Sequence, residues 1–318
     1  MFWQAFRMTG SATLQIFILG LIGYFLVKKN ILGEAGLDIL SRLTIEVTLP
    51  FLIFYQLISQ FSFSMYPNWW LYPVLSILIT GIGLVLAYCF SGAVAGRERK
   101  AQFMSLVAFQ NSGYLPLVLI AALLPKDKAD PLLVFLFLFL LGFNLVMFSF
   151  GAYLLTAHKN KKFELGSLFS PPVVAIILGM LAVYLRLNRF IPGAVIKPVQ
   201  MIGETTLPLA MLVVGGSLAA ARIIRVDKKA VFLVSALKLI VMPLLGLVLV
   251  IKLNLPELVG LLVLMQMAVP PATSLSVIIR HYKKEDLLVS QGIFFGHLFC
   301  LITLPVFLSI YFTFVMVR

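Results

Sequence analysis

Apolar residues in this chain fall into long runs separated by short charged connections. A helix needs about 20 mostly apolar residues to cross the hydrocarbon of a bilayer. Ten stretches meet that need, near residues 11–28, 37–58, 70–92, 101–124, 131–156, 170–187, 198–221, 229–252, 257–279 and 287–316. The pattern predicts an all-α integral membrane protein of ten transmembrane helices. The connections leave no room for a separate soluble domain. The longest polar linker, HKNKKFELG from His158 to Gly166, falls almost at the midpoint.

Composition agrees with the pattern. The chain is 61% hydrophobic and 12% charged, where soluble domains average roughly 25% charged residues. Its net charge of +13 comes from 25 Lys and Arg against 12 Asp and Glu. These cations lie mainly in short loops, where they set orientation and meet lipid headgroups; no nucleic-acid partner is implied. Cys89 and Cys300 both sit inside apolar runs and suggest packing rather than a disulfide or metal framework. The first apolar run has polar flanks and no small-residue cleavage site, and reads as a retained span.

A search for internal repeats changes the picture. At an offset of 158 residues, IEVTLPFLI (45–53) falls on GETTLPLAM (203–211), matching Glu46 with Glu204, Thr48 with Thr206, Leu49 with Leu207 and Pro50 with Pro208. The same offset brings Asn30 onto Asn188, Lys28 onto Arg186 and Gly113 onto Pro271. The expected organisation is a five-helix repeat over 1–157, a cytoplasmic linker over 158–169 and a second repeat over 170–318. Five is odd, so the second repeat enters the membrane inverted, an arrangement common in secondary transporters. Sixteen Lys and Arg lie in the loops on one side (Lys28, Lys29 and Arg42; Arg97, Arg99 and Lys100; Lys159, Lys161 and Lys162; Arg222, Arg225, Lys228 and Lys229; Arg280, Lys283 and Lys284), against eight on the other. The positive-inside bias puts both termini outside a multi-pass cell-membrane protein.

Stretches four and nine occupy equivalent places, and each carries helix-breaking residues near its middle. The first reads FQNSGYLPLVLI (109–120), with Asn111, Gly113 and Pro116; the second reads AVPPATS (268–274), with Pro270, Pro271 and Ser274. A residue before proline is pushed out of the helical region. Non-helical backbone at membrane depth persists only where protein or a water-lined cavity satisfies it. Two such breaks, meeting near the midplane, would aim helix N-termini at one point and suit an anion.

The ten spans, the five-plus-five repeat, the outside termini and NSGYLPL (111–117) resemble the auxin efflux carrier family, which includes the plant PIN and PILS carriers and many bacterial permeases. That family is similar in fold to bile-acid sodium symporters and sodium–proton antiporters. The resemblance implies a scaffold domain from helices 1, 2, 6 and 7, a transport domain from helices 3–5 and 8–10 and a homodimer. It also implies elevator-type movement of small organic anions such as auxin, malate or malonate. By resemblance, Asn111 and Pro116 map onto the first crossing helix and Pro271 onto the second. The short HKNKKFELG linker departs from the long central loop of plant carriers, which argues against phosphorylation-regulated auxin export.

Ionisable residues inside spans are functional candidates by default. Lys238 could attract an anion or compensate helix ends; Glu46, Glu204 and His297 could bind a coupling proton or sodium ion, or serve packing and subunit contact. Among neutral groups Asn144 is the strongest substrate candidate; Gln266 and Gln291 rank lower, and Gln56 and Gln110 are weaker. The aspartates Asp38, Asp127, Asp130, Asp227 and Asp286 all lie in or beside loops, which demotes sodium–proton exchange as the primary function. An intramembrane enzyme would need a linked nucleophile and base, and nothing ties Ser217 to His297. Alternatives left open are a symporter of bile-acid-like or amino-acid substrates and a lipid sensor of the same fold.

Overall fold

In a computed structural model of the chain, residues 1–156, 169–281 and 287–315 are described. The linker HKNKKFELG, with Lys159, Lys161 and Lys162, and the loop residues Lys283, Lys284 and Asp286 lie outside the described residues. Everything described is helix or connection, with no β-strand among the described residues.

The helices are α1 (Phe2–Lys28), α2 (Gly33–Leu43), α3 (Leu49–Gln60), α4 (Leu71–Phe90), α5 (Arg97–Ala108), α6 (Tyr114–Leu123), α7 (Lys126–Val146), α8 (Ala152–Thr156), α9 (Pro171–Tyr184), α10 (Gly193–Glu204), α11 (Thr206–Ala219), α12 (Lys228–Ala236), α13 (Met242–Lys252), α14 (Glu257–Ala268), α15 (Ser274–His281) and α16 (Leu287–Phe314). Some are collinear pieces of one rod. Single π-helical turns at Thr44–Thr48, Met147–Gly151 and Leu237–Val241 join α2 to α3, α7 to α8 and α12 to α13. Proline explains two of them. A proline ring clashes with the carbonyl four residues earlier; for Pro50 and Pro243 those carbonyls belong to Glu46 and Leu239, inside the widened turns. Pro208 acts likewise on Glu204, where α10 ends and Thr205 separates it from α11.

Among the described residues, six helical rods are long and apolar enough to cross a membrane: Phe2–Lys28, Leu71–Ala93, Lys126–Leu155, Gly193–Ala219, Lys228–Lys252 and Leu287–Phe314. The apolar helices α6, α9 and α14 are shorter. Stretches four and nine of the sequence are each split in two, at 109–113 and 269–273.

α1 packs along α11, and α3 packs on α9 and α10. α4 lies on α5 and α7, α13 on α14 and α12 on α16, while α1 also touches α16. The α1–α11 crossing is made by small residues: a Cβ on Gly215 would overlap the Gly20 carbonyl. Close backbone approach of this kind is how helices associate where lipid offers no hydrophobic driving force. The densest core surrounds the split helices, with Phe103, Val107, Phe109, Leu136 and Leu264 all fully buried.

Candidate functional site

The two split helices meet at their breaks. Gln110 and Pro271 form a one-residue antiparallel bridge. The Asn111 N–H donates to the Pro270 carbonyl (2.8 Å), and the Ala272 N–H donates to the Phe109 carbonyl (3.0 Å). Proline chemistry makes this exchange possible. If α14 ran on, the carbonyls of Gln266 and Met267 would need donors from positions 270 and 271, and proline has none. The freed backbone then pairs across to the other break. Gln266 Nε2 adds a hydrogen bond to the Ser112 carbonyl at 3.1 Å.

The exchange leaves Val107 short of a partner, because the Asn111 N–H that an unbroken helix would aim at its carbonyl has gone to Pro270. Lys238, fully buried on the Leu237–Val241 turn, supplies the replacement. Its Nζ donates to the Val107 carbonyl at 2.9 Å and reaches Gln110 Oε1 at 3.5 Å. The C-terminal end of a helix is its negative pole, and the Lys238 amine donates to α5 at that end.

Asn111 is held from behind. Its Nδ2 lies 3.3 Å from Nε2 of His297, whose Nδ1 lies 2.8 Å from the Ile293 carbonyl. A carbonyl only accepts, so the network assigns the ring proton to Nδ1. Nε2 of the neutral ring is then an acceptor facing the Asn111 amide N–H. One helical residue away, Gly296 makes room for the second break: a Cβ there would stand 2.7 Å from the Pro271 ring.

In front of the breaks lies a cavity of about 120 Å³. Gln110 to Tyr114 form one wall and Ala272 to Ser274 another, with Asn144 from α7 and Ser170 from the start of α9 closing it. Gln110 Nε2, Ser112 Oγ, Tyr114 OH and Ser170 Oγ are buried without a hydrogen-bond partner. All four are able to donate. The residues beginning α6 (Gly113, Tyr114) and α15 (Thr273, Ser274) also line the cavity, so two helix N-termini abut the same space, although at α15 the Leu275 and Ser276 N–H groups already donate to the Ala272 and Thr273 carbonyls. No Asp or Glu lines it. The lining is largely apolar, with most of its polar groups gathered at the two breaks and no carboxylate among them.

The sequence candidates therefore separate. Asn111, Gly113, Asn144 and Ser274 line the cavity; Pro270 and Pro271 shape the pairing behind it; Pro116, buried in the first turn of α6, costs no bond because first-turn N–H groups have no intrahelical acceptor. Lys238 and His297 stand one contact back. Glu46 and Glu204 are exposed and elsewhere: Glu46 lies 3.6 Å from Arg42, and Glu204 accepts from Gln200 Nε2 at 2.7 Å. Gln291 accepts from the Asp227 N–H and donates to the Ile224 carbonyl. Tyr114 and Ser112 lie inside the stretch that drew attention in the sequence, without being singled out. Ser170 carried no signal, since only folding brings it near.

A larger cavity of about 330 Å³ lies between α1, α6, α11 and α16; apart from Tyr24 and His297 its lining is apolar, and it offers an anion little.

Comparison with known proteins adds independent evidence. The family described as "Membrane transport protein" matches residues 10–164 and 152–308. A protein of Methanothermobacter thermautotrophicus named as an uncharacterized transporter is 26% identical over 238 residues, covering 74% of this chain and 76% of that protein. An uncharacterized transporter of Schizosaccharomyces pombe is 25% identical over 127 residues, or 40% of this chain; the match spans only 28% of the yeast protein. With six apolar helices of spanning length and a family match over nearly the whole sequence, this multi-pass membrane chain belongs to the auxin efflux carrier family of membrane transport proteins.

Proposed function

We propose that the protein is a secondary transporter of small organic anions, with the carboxylate held in the cavity between the two helix breaks. The observation that carries this reading is the cavity wall: unpaired buried donors, two helix N-termini and no acidic side chain. Its volume of about 120 Å³ is well below the roughly 300–1,000 Å³ of pockets for drug-sized ligands. A short acid such as malonate or malate fits that size better than an indole-ring acid.

The reading includes ten spans in two inverted repeats. In its support, the helix starts recur at the offset seen in the sequence. Adding 158 to Leu71, Arg97 and Tyr114 gives 229, 255 and 272, and helices start at Lys228, Glu257 and Ser274. The packing of α1 with α11 and of α3 with α9 and α10 is consistent with a scaffold of helices 1, 2, 6 and 7. An elevator-like step would carry helices 3–5 and 8–10 past it. Ile45, Leu49 and Pro172, which the reading assigns to the scaffold, also line the cavity, in keeping with a site at the surface that such a step would open. The remaining elements of the proposal are a homodimer in the cell membrane, both termini outside, and H⁺ or Na⁺ as driving ion.

The test is substrate-evoked current from proteoliposomes on a solid-supported membrane, with short mono- and dicarboxylates, indole-acetate, amino acids and bile acids. A saturable response to a short carboxylate, reduced at least about tenfold in Asn111→Ala, is expected. No response to any carboxylate, or normal transport by Asn111→Ala, overturns the reading.

A further inference from the structure

Resting on the anion site proposed above, we propose that His297 is the coupling group: it takes up one proton as the carboxylate binds and turns the Asn111 amide to meet it. The geometry makes the two states exclusive. With Nδ1–H committed to the Ile293 carbonyl at 2.8 Å, a neutral ring presents a lone pair at Nε2, and Asn111 must face it with Nδ2, as seen at 3.3 Å. A protonated ring donates from both nitrogens. Asn111 then faces Nε2–H with Oδ1, and its NH₂ swings toward the cavity. Protonation thus adds a positive charge behind the site and shifts the donors of Asn111 toward the anion in one event.

The surroundings favour such a pairing of events. His297 is fully buried, and an isolated charge there is costly without a partner; an anion in the neighbouring cavity is that partner. Tyr24 on α1 shares a cavity with it and Cys300 lies one turn along its own helix, while Tyr114 lines the cavity beyond Asn111 and Lys238 reaches the break through Gln110. On α1, α5, α12 and α14, which pack against α16, the other charged groups among the described residues sit toward helix ends: Arg7 and Lys28 of α1, Arg97 to Lys100 of α5, Lys228 and Lys229 of α12 and Glu257 of α14. Neither adjoining cavity is lined by Asp or Glu, so no fixed carboxylate stands in for the substrate. The proton comes from water on the side where the carboxylate enters and returns to water where it leaves. None is created or consumed.

The test is calorimetric titration of the purified full chain with malonate, in two buffers of different ionisation enthalpy. The wild type should take up close to one proton per malonate, and its affinity should rise about tenfold for each pH unit lowered. His297→Gln keeps an acceptor for Asn111 Nδ2 but cannot take a proton; it should bind malonate with near-zero uptake and a flat pH profile. Malonate binding by the wild type without proton uptake, or equal uptake by His297→Gln, overturns the proposal and leaves the anion site standing. Should the variant not fold, ¹⁵N-histidine spectra of the wild type decide. One ring should pass from the neutral Nδ1–H form to imidazolium on adding malonate, and an unchanged spectrum refutes the coupling. No heat from malonate, succinate or acetate overturns the anion site itself, and the coupling with it.

Discussion

Lys238 closes the gap that Asn111 opens. The Asn111 N–H bonds Pro270 at 2.8 Å instead of Val107, and the Lys238 Nζ stands 2.9 Å from the Val107 carbonyl in its place. One residue's backbone crosses to the other broken helix, and a side chain from a third helix restores the bond lost behind it. The break in α5 is thus a structure with its own capping group.

Replacing Lys238 with Met keeps most of the volume and removes the donor. Leaving a buried acceptor unsatisfied costs about 1–3 kcal/mol. Thermal unfolding in detergent should show a lowered Tm for Lys238→Met, together with weaker carboxylate binding. An unchanged Tm would mean that Val107 needs no such partner.

Asn111→Ala should reduce carboxylate uptake about ten- to a hundredfold, the worth of a hydrogen bond to a charged group, with membrane insertion intact. Asn111→Asp introduces a negative charge into a cavity otherwise without one. Its uptake should not recover at high substrate concentration, which initial-rate measurements over a wide concentration range will reveal.

Gly296→Val tests the seat of the second break. Even the first added carbon meets the Pro271 ring at 2.7 Å, and that ring cannot rotate away. Overpacking of this kind costs about 1–3 kcal/mol. The expected result is a lower Tm and impaired transport, whereas the same change at Gly81, where a Cβ meets nothing within 4 Å, should be mild.

Gln56 ties α3 to the start of α7, its Nε2 donating to Asp130 Oδ1 at 3.1 Å and to the Asp130 carbonyl at 3.3 Å. If α7 slides past α3 during transport, this contact breaks on each cycle. Gln56→Leu should therefore raise deuterium uptake at the α7 N-terminus, read by mass spectrometry. Unchanged exchange would show that the contact does not restrain α7.

Much of this was legible from residue order. Pro270 and Pro271 remove two consecutive donors, so a helix running unbroken through them is strongly disfavoured. Asn111 and Gly113 likewise drew attention as polar and flexible positions in an apolar run. Similarity between halves does not say which face turns inward: Glu46 and Glu204, matched at the repeat offset, sit exposed with local partners and do not line the cavity. Ser170 shows the converse, a cavity donor without any local mark.

Hydrophobic run length and proline placement are local properties, governed by bilayer thickness and by backbone donors within a few residues. The sequence alone therefore determined the helical, membrane-spanning class and the two stretches where helix continuity fails. Whether those breaks would meet depended on contacts across 131 residues from Val107 to Lys238 and 186 residues from Asn111 to His297. Only the tertiary structure decided that Pro270 would take the Asn111 N–H, that Lys238 would cap α5 and that His297 would hold the Asn111 amide. Such bonds form when distant backbone, left unpaired by local chemistry, finds donors and acceptors in a water-poor interior, and no spacing along the chain encodes them.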